Sequence, residues 1–265
     1  MVCVVHLVWA PLGVAPLRRF VASYRSHSAG MEHRLVLLFK GFADPTQTAA
    51  HVDALDGLAH EPLHYSRPTF DLPAYVAAAD ALDASSLCFL NSESTLLADG
   101  WLAALHERLL EPGVGAVGAT GSYETPRSIN PLRRRRWVAF PNPHLRTNAF
   151  MLSRELMRTV RVSEVRTKSR AWELESGRDG LTRQVWGRGL RTLVVGRDGE
   201  GYEPERWYES ATFRSGEQAN LLVADNRTRQ WHEADANLRA ALSRMAWGDD
   251  PQASATRVTA ASSAP

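Results

Sequence analysis

The chain is poor in cysteine, almost without lysine and close to electrical neutrality, and it has no long apolar run. Only Cys3 and Cys88 are present among 265 residues. Both sit in apolar stretches, which suits reduced core thiols, and they are too few for a cysteine-based zinc site. No stretch approaches the roughly 18 unbroken apolar residues that a membrane span needs. The N-terminal MVCVVHLVWAP lacks a basic leader and a small-residue cleavage site, so it is expected to be a first strand, not a signal peptide, and the expected compartment is the cytoplasm. The formal net charge is +2, from 31 basic and 29 acidic residues, which argues against a general polyanion binder. Among the basic residues only Lys40 and Lys168 are lysines; the rest are arginines. Guanidinium groups suit phosphate and carboxylate, although arginine with alanine is also what a GC-rich genome produces.

What is present is 44% hydrophobic residues in a repeating pattern. Val2–Trp9 is expected to form a buried strand. Leu17, Phe20, Val21 and Tyr24 then recur at helical spacing. Arg34–Phe39 is a second expected strand. Asp44-Pro45-Thr46-Gln47 has the form of a helix start and predicts a helix to about Leu58. A short strand near His60–Tyr65, a helix over Leu72–Leu82 and a strand over Ser86–Leu90 follow. Strands alternating with helices imply βαβ units and a mostly parallel sheet, with the carboxyl ends of its strands on one rim. Ligands of such sheets bind at that rim, where the polar run Asn91-Ser92-Glu93-Ser94 is expected.

The second half predicts a helix over Asp99–Leu110, strands at Val114–Gly118, His144–Leu152 and Arg191–Val195, and helices at Leu181–Arg188, Glu217–Ala224 and Glu233–Ala246. In the last, Leu238, Ala241, Leu242 and Met245 make an apolar stripe. Residues 119–143 are expected to form a long loop containing Arg133-Arg134-Arg135-Arg136-Trp137. Residues 1–248 are expected to be a single domain of two halves, 1–118 and 119–248. The segment 249–265 has almost nothing to bury and is expected to be a disordered tail.

The succession of CFLNSES, DGWLAALHERLLEP and VGAVGATGS after a βαβαβ start resembles the family 2 glycosyltransferases of the GT-A fold. FMLSRELM and WELESGRDGLT resemble later motifs of that family, an arginine-bearing strand-to-helix turn and an acidic pair near the acceptor. The resemblance spans roughly residues 2–195. It implies a GT-A-like α/β fold and inverting transfer of a sugar from a nucleoside-diphosphate donor to a hydroxyl acceptor. A glycan or lipid-linked acceptor, a bacterial surface-glycan setting and the inner membrane face go with that implication. So does a divalent metal, Mn2+ or Mg2+. The family's Asp-x-Asp motif stands here as Asn91-Ser92-Glu93, with an amide in place of the first carboxylate.

Glu93 is the one carboxylate of that run and the candidate metal ligand; Asn91 and Ser92 are candidate ribose or water-bridged contacts. The alternative is a surface turn whose side chains satisfy backbone donors. Attack by a hydroxyl needs a base, for which Glu175 is favoured over Glu173; both are equally suited to solvation or to helix N-terminal charge. Asp71 is a candidate donor contact or a helix N-cap. Lys40, ending the second strand, faces a phosphate or water. Trp172 and Arg146 are candidate acceptor contacts. Trp207, Phe213 and Arg214 are a candidate lid over the donor, through stacking and guanidinium–phosphate contacts, or simply pack their segment on the sheet. His144, beside Arg146 and Asn148, is read as part of an ordinary polar strand. The Arg133–Trp137 run is a phosphate clamp, an anionic-lipid contact, a nucleic-acid patch or a solvated loop. No aromatic–basic RNA module accompanies it, so no nucleic-acid partner is expected. The rival function is a nucleotide-binding or scaffold protein that has lost catalysis on the same fold.

Overall fold

Three apolar runs, VCVVHLVW, RLVLLFK and SLCFL, are side by side in the centre of the molecule. The computed structural model describes residues 1–126, 136–162 and 167–262. The first half runs β1 (Val2–Trp9), α1 (Ala15–Ser26), β2 (Arg34–Lys40), α2 (Ala49–Asp53), β3 (Glu61–Tyr65), α3 (Asp71–Ala81) and β4 (Ser86–Leu90). It continues through β5 (Thr95–Leu96), α4 (Trp101–Leu109), β6 (Val114–Gly118) and β7 (Gly121–Ser122). Then come β8 (His144–Leu145), β9 (Ala149–Ser153), α5 (Arg154–Arg158), α6 (Lys168–Ser176), α7 (Leu181–Trp186), β10 (Arg191–Val195) and β11 (Gly201–Tyr202). The chain closes with β12 (Val223–Ala224), α8 (Asn226–Glu233), α9 (Ala236–Trp247) and α10 (Pro251–Ser262).

Among the described residues the main sheet has eight strands in the order β11-β10-β6-β9-β4-β1-β2-β3. β1 runs parallel to both β2 and β4, with Val5 opposite Val36 on one side and Phe89 on the other. The mostly parallel α/β sheet flanked by helices that the sequence predicts is the one observed. β9 is the exception inside it, antiparallel to both β4 and β6. That reversal brings residues 144–148 to the carboxyl ends of the parallel strands, in the middle of the sheet.

Alternation along β1 sends Cys3, Val5 and Leu7 to one face and Val2, Val4 and Val8 to the other. The second face is covered by Leu17 and Phe20 of α1 and by Trp101, Leu102 and Leu105 of α4. The first is covered by Tyr75 and Ala78 of α3, Met157 of α5, Leu174 of α6 and Leu181 of α7. Burying each such large side chain contributes about 1.5–3 kcal/mol. Both cysteines are free and buried, and burial raises the pKa of each.

Several sequence expectations are corrected. α2 stops at Asp53, and left-handed Asp56 and Gly57 turn the chain before Leu58. Glu217–Ala224 is not a helix: a 3-10 turn over Gly216–Gln218 holds left-handed Glu217 and Gln218, and β12 pairs with β5. Glu233–Ala246 is broken at Ala234, and Asp235 restarts it by accepting from Leu238 N at 2.9 Å. Its buried side is Leu242, Ala246 and Trp247, whereas Leu238 and Met245 are exposed. His144–Leu152 is two strands, β8 and the start of β9, because residues 146–148 turn at the rim. The segment beyond Gly248 is helical through Ser262, not disordered: Asp250 precedes Pro251 and accepts from Ala253 N, and Val258 and Ser254 are buried against the core. Arg133, Arg134 and Arg135 of the arginine run lie outside the described residues. No helix among the described residues is long and apolar enough to cross a membrane.

Candidate active site

A cavity of about 480 Å³ opens at the carboxyl rim and draws on both halves of the chain. Phe70, Asp71 and Pro73 reach it from the start of α3, and His144, Arg146 and Thr147 from the reversal before β9. Lys168, Trp172 and Glu175 come from α6, Phe213 and Arg214 from the irregular segment after β11, and Arg227 and Gln230 from α8.

Of the expected residues, Glu175, Asp71, Trp172, Arg146 and Arg214 are therefore brought together. Oε1 of Glu175 accepts from Thr147 N at 2.7 Å and from Thr147 Oγ1 at 3.0 Å. This fixes the carboxylate on the wall, and its second oxygen has no partner among the described residues. Trp172 packs edge-on against buried Trp137, centroids 5.6 Å apart, so the end of the arginine run anchors one side of the cavity. Asp71 is the first residue of α3 and not its N-cap, which is Phe70. Its Oδ1 is 2.5 Å from Nζ of Lys40. Lys40 is buried under the ring of Trp9 at 5.7 Å, so its charge goes to Asp71 and the indole; it does not line the cavity. Trp9 itself is 41% exposed at the end of β1.

Glu173 lies outside the cavity. Its carboxylate is buried, 2.6 Å from Arg170 and 3.6 Å from Arg136, which ties α6 to the arginine run. Asn91-Ser92-Glu93 is also outside the cavity lining. Asn91 Oδ1 accepts from Glu93 N and Ser94 Oγ, both at 3.0 Å, and Asn91 N donates to Asn148 O at 2.8 Å. The amide thus closes a turn and stitches β4 to the reversal before β9. Oε2 of Glu93 is shared by Arg19 at 2.8 Å and by Arg229 of α8, whose Nη1 also donates to the Glu93 carbonyl at 3.1 Å. The run does not fit a preformed metal centre. Two guanidiniums hold the carboxylate, and no group of three His, Cys, Asp or Glu side chains among the described residues is placed to hold an ion.

The polar floor is built around Arg146. Its Nη2 donates to Asp225 Oδ2 at 2.7 Å, its Nη1 to Thr120 Oγ1 at 3.2 Å, and it stacks on Phe213 at 4.1 Å. Asp225 also caps α8, accepting from Arg227 N and Thr228 N at 2.9 Å each. Burial alone would raise the Asp225 pKa, but the Arg146 charge and these bonds hold it below the ordinary carboxylate value. His144, expected to be part of an ordinary polar strand, lines the cavity. Its Nδ1 is 2.8 Å from the carbonyl of Asn142, which places the proton on Nδ1 and leaves the lone pair on Nε2. Burial lowers its pKa although Glu175 pulls it upward, so the ring is neutral at pH 7. Lys168, Arg227 and Thr147 were missed; only the position of Thr147 on the rim-directed stretch beside His144 and Arg146 pointed to it.

No protein-family model matches the chain, and no curated protein sequence matches it. Solved structures do. Glucosyl-3-phosphoglycerate synthase from Mycobacterium tuberculosis, in complex with Mn2+, uridine diphosphate and phosphoglyceric acid, matches with a TM-score of 0.45 and 16% identity. That match covers 63% of this chain and 60% of the synthase, so the chain spans less than two thirds of that protein. Mouse xyloside xylosyltransferase 1 matches with a TM-score of 0.46 and 14% identity over 74% of this chain and 85% of its own. A mannosyltransferase from Pyrobaculum calidifontis, in complex with GDP-Man and Mn2+, matches with a TM-score of 0.47 and 12% identity over 100% and 76%.

Proposed function

We propose that the chain is a glycosyltransferase that moves a sugar from a nucleoside-diphosphate donor to a hydroxyl of an acceptor held in the cavity, with inversion. The observation that carries this reading is Glu175. Its carboxylate is oriented by Thr147 through one oxygen and open through the other, in a cavity at the carboxyl rim of a mostly parallel sheet. The chain order reverses between β1 and β4, and the crevice at such a switch point is where α/β sheets hold ligands. The donor is assigned to that rim, with its base near Trp9 and its sugar near Asp71, and the acceptor to the cavity beside Trp172.

In this reading the free oxygen of Glu175 takes the hydroxyl proton as the acceptor oxygen bonds to the anomeric carbon. The sugar–phosphate bond breaks on the opposite face and the nucleoside diphosphate leaves. His144, neutral beside Glu175, presents a lone-pair nitrogen to the same space and takes that proton on from Glu175 through water. A divalent ion, present in some of the similar structures, would neutralise charge developing on the donor diphosphate.

A non-catalytic nucleotide binder is the second reading, favoured by the clamp of Glu93 between Arg19 and Arg229. A panel of UDP-, GDP- and dTDP-sugars, read by nucleotide release with and without Mn2+, separates the two. Glu175→Gln keeps an oxygen for Thr147 and removes the base, so turnover should fall by roughly 10²- to 10⁴-fold with unchanged folding. Full turnover by that variant removes Glu175 from the mechanism, and nucleotide binding without any donor turnover selects the second reading.

A further inference from the structure

The cationic side chains of the cavity fall into two groups. Arg146 and Arg214 have carboxylate partners, Asp225 and Glu124, each at 2.7 Å. Arg227 and Lys168 have none among the described residues, although both line the cavity. Arg214 is itself only 3% exposed, and its Nε has no hydrogen-bond partner. Its backbone is left-handed at φ 50°, within a segment where Ala211, Glu217 and Gln218 are left-handed too. Strain of that kind in a non-glycine segment concentrates at ligand sites. The segment is pinned from behind by Trp247, whose Nε1 donates to Phe213 O at 2.8 Å. The arginine is thus held in the cavity wall, close enough to Arg227 for the two charges to act on each other.

We propose that Arg214, Arg227 and Lys168 form a phosphate subsite for the acceptor, so that the hydroxyl compound presented to Glu175 is a phosphate monoester. This rests on the transferase reading of the same cavity. Two unpartnered monocations match a dianion better than a single carboxylate, and guanidinium forks pair with phosphate oxygens two at a time. The assignment to the acceptor follows from placement. All three cations share the cavity with Glu175 and Trp172, whereas Trp9 and Lys40, on the donor's side of the rim, do not line it; Asp71, on the same lining, is where the donor sugar meets the acceptor. Glu175 and Glu124 are on the same lining and keep the charge of the whole cavity modest.

The test is calorimetric titration of the full chain with inorganic phosphate and with glycerol 3-phosphate, glycerol serving as the uncharged control, at constant ionic strength. Each is measured alone and with saturating UDP, GDP or dTDP. Glycerol 3-phosphate should bind, glycerol should not, and a nucleoside diphosphate should leave the phosphate affinity unchanged. Arg227→Ala and Lys168→Ala should each weaken phosphate binding about tenfold, the size expected for one charged hydrogen bond, and leave nucleotide affinity unaltered. Both residues sit at the cavity surface without ion-pair partners among the described residues, so neither variant should disturb folding, and thermal melts verify this. Absence of phosphate binding, or binding by both variants as tight as by wild type, overturns the subsite. Competitive displacement of phosphate by the nucleoside diphosphate also overturns it, because the cations then serve the donor. Failure of all three nucleotides to bind while phosphate still does would instead remove the transferase reading and leave the anion site standing.

Discussion

Replacing Asp225 should destabilise the protein more than any other single change at the rim. The carboxylate is 1% exposed, pairs with Arg146 at 2.7 Å and caps α8 through two backbone donors at 2.9 Å. Asp225→Ala strands the Arg146 guanidinium, whose side chain is 11% exposed, and leaving one member of a buried pair costs about 3–5 kcal/mol. The lost cap adds about 1 kcal/mol. Asp225→Asn keeps the cap and a neutral acceptor for Arg146, so it should cost about 2 kcal/mol. Urea unfolding of the three proteins gives the ordering directly, and the alanine variant should melt at least about 8 °C below wild type at the per-kcal shift of a protein this size. The pH dependence follows from the depressed pKa of Asp225. Because the folded value lies below the unfolded one, the contribution is complete above the ordinary carboxylate value near 4 and fades as pH falls through the lower folded value. Asp225→Asn should therefore lose less stability than wild type on acidification. An alanine variant within about 1 kcal/mol of wild type, or equal losses for alanine and asparagine, would refute the argument that this buried pair organises the floor of the cavity.

Other consequences are checked with the same unfolding and binding assays. Glu93→Gln should weaken the bridge between α1 and α8 by about 1 kcal/mol, since both arginines are partly solvated, and should leave the phosphate affinity of the cavity unchanged. Ending the chain at Gly248 removes α10 and uncovers the contact around Val258, with an expected loss of about 2 kcal/mol in denaturant titration. Gly121→Ala would place a methyl group 2.5 Å from the ring of buried Trp207, which cannot swing aside, so a loss of about 1–3 kcal/mol is expected. A variant as stable as wild type would show that the Trp207 segment yields easily.

The central strands were legible because burial on both faces leaves an unbroken apolar run: VCVVHLVW and SLCFL appear as strands with bounds within a residue of those expected. α3 was legible from its spacing, and Glu175, Asp71, Trp172, Arg146 and Arg214 were singled out by residue type and position along the chain. The helix after Gly248 was missed although Asp250-Pro251 repeats the start signal seen at Asp44-Pro45. Its few apolar residues gave no periodic stripe, and it is held by buried Val258 and Ser254 and by Arg257 over the ring of Phe140. The stripe over Leu238–Met245 was misassigned because Trp247, one turn further along, and not Leu238, turns inward.

The sequence by itself determined the alternation of strands and helices, the two-sided burial of the central sheet and the polar character of its carboxyl rim, because these follow from spacing within a few residues. Only the tertiary structure decided what those rim residues touch. Glu93 meets Arg229, 136 positions later in the chain, and is taken up by an ion pair, while Glu175 meets Thr147 and faces open space. A carboxylate takes its character from whichever cation or donor the fold brings within about 3 Å, and that depends on the antiparallel reversal before β9 and the return of α8 across the sheet, neither of which leaves a local pattern.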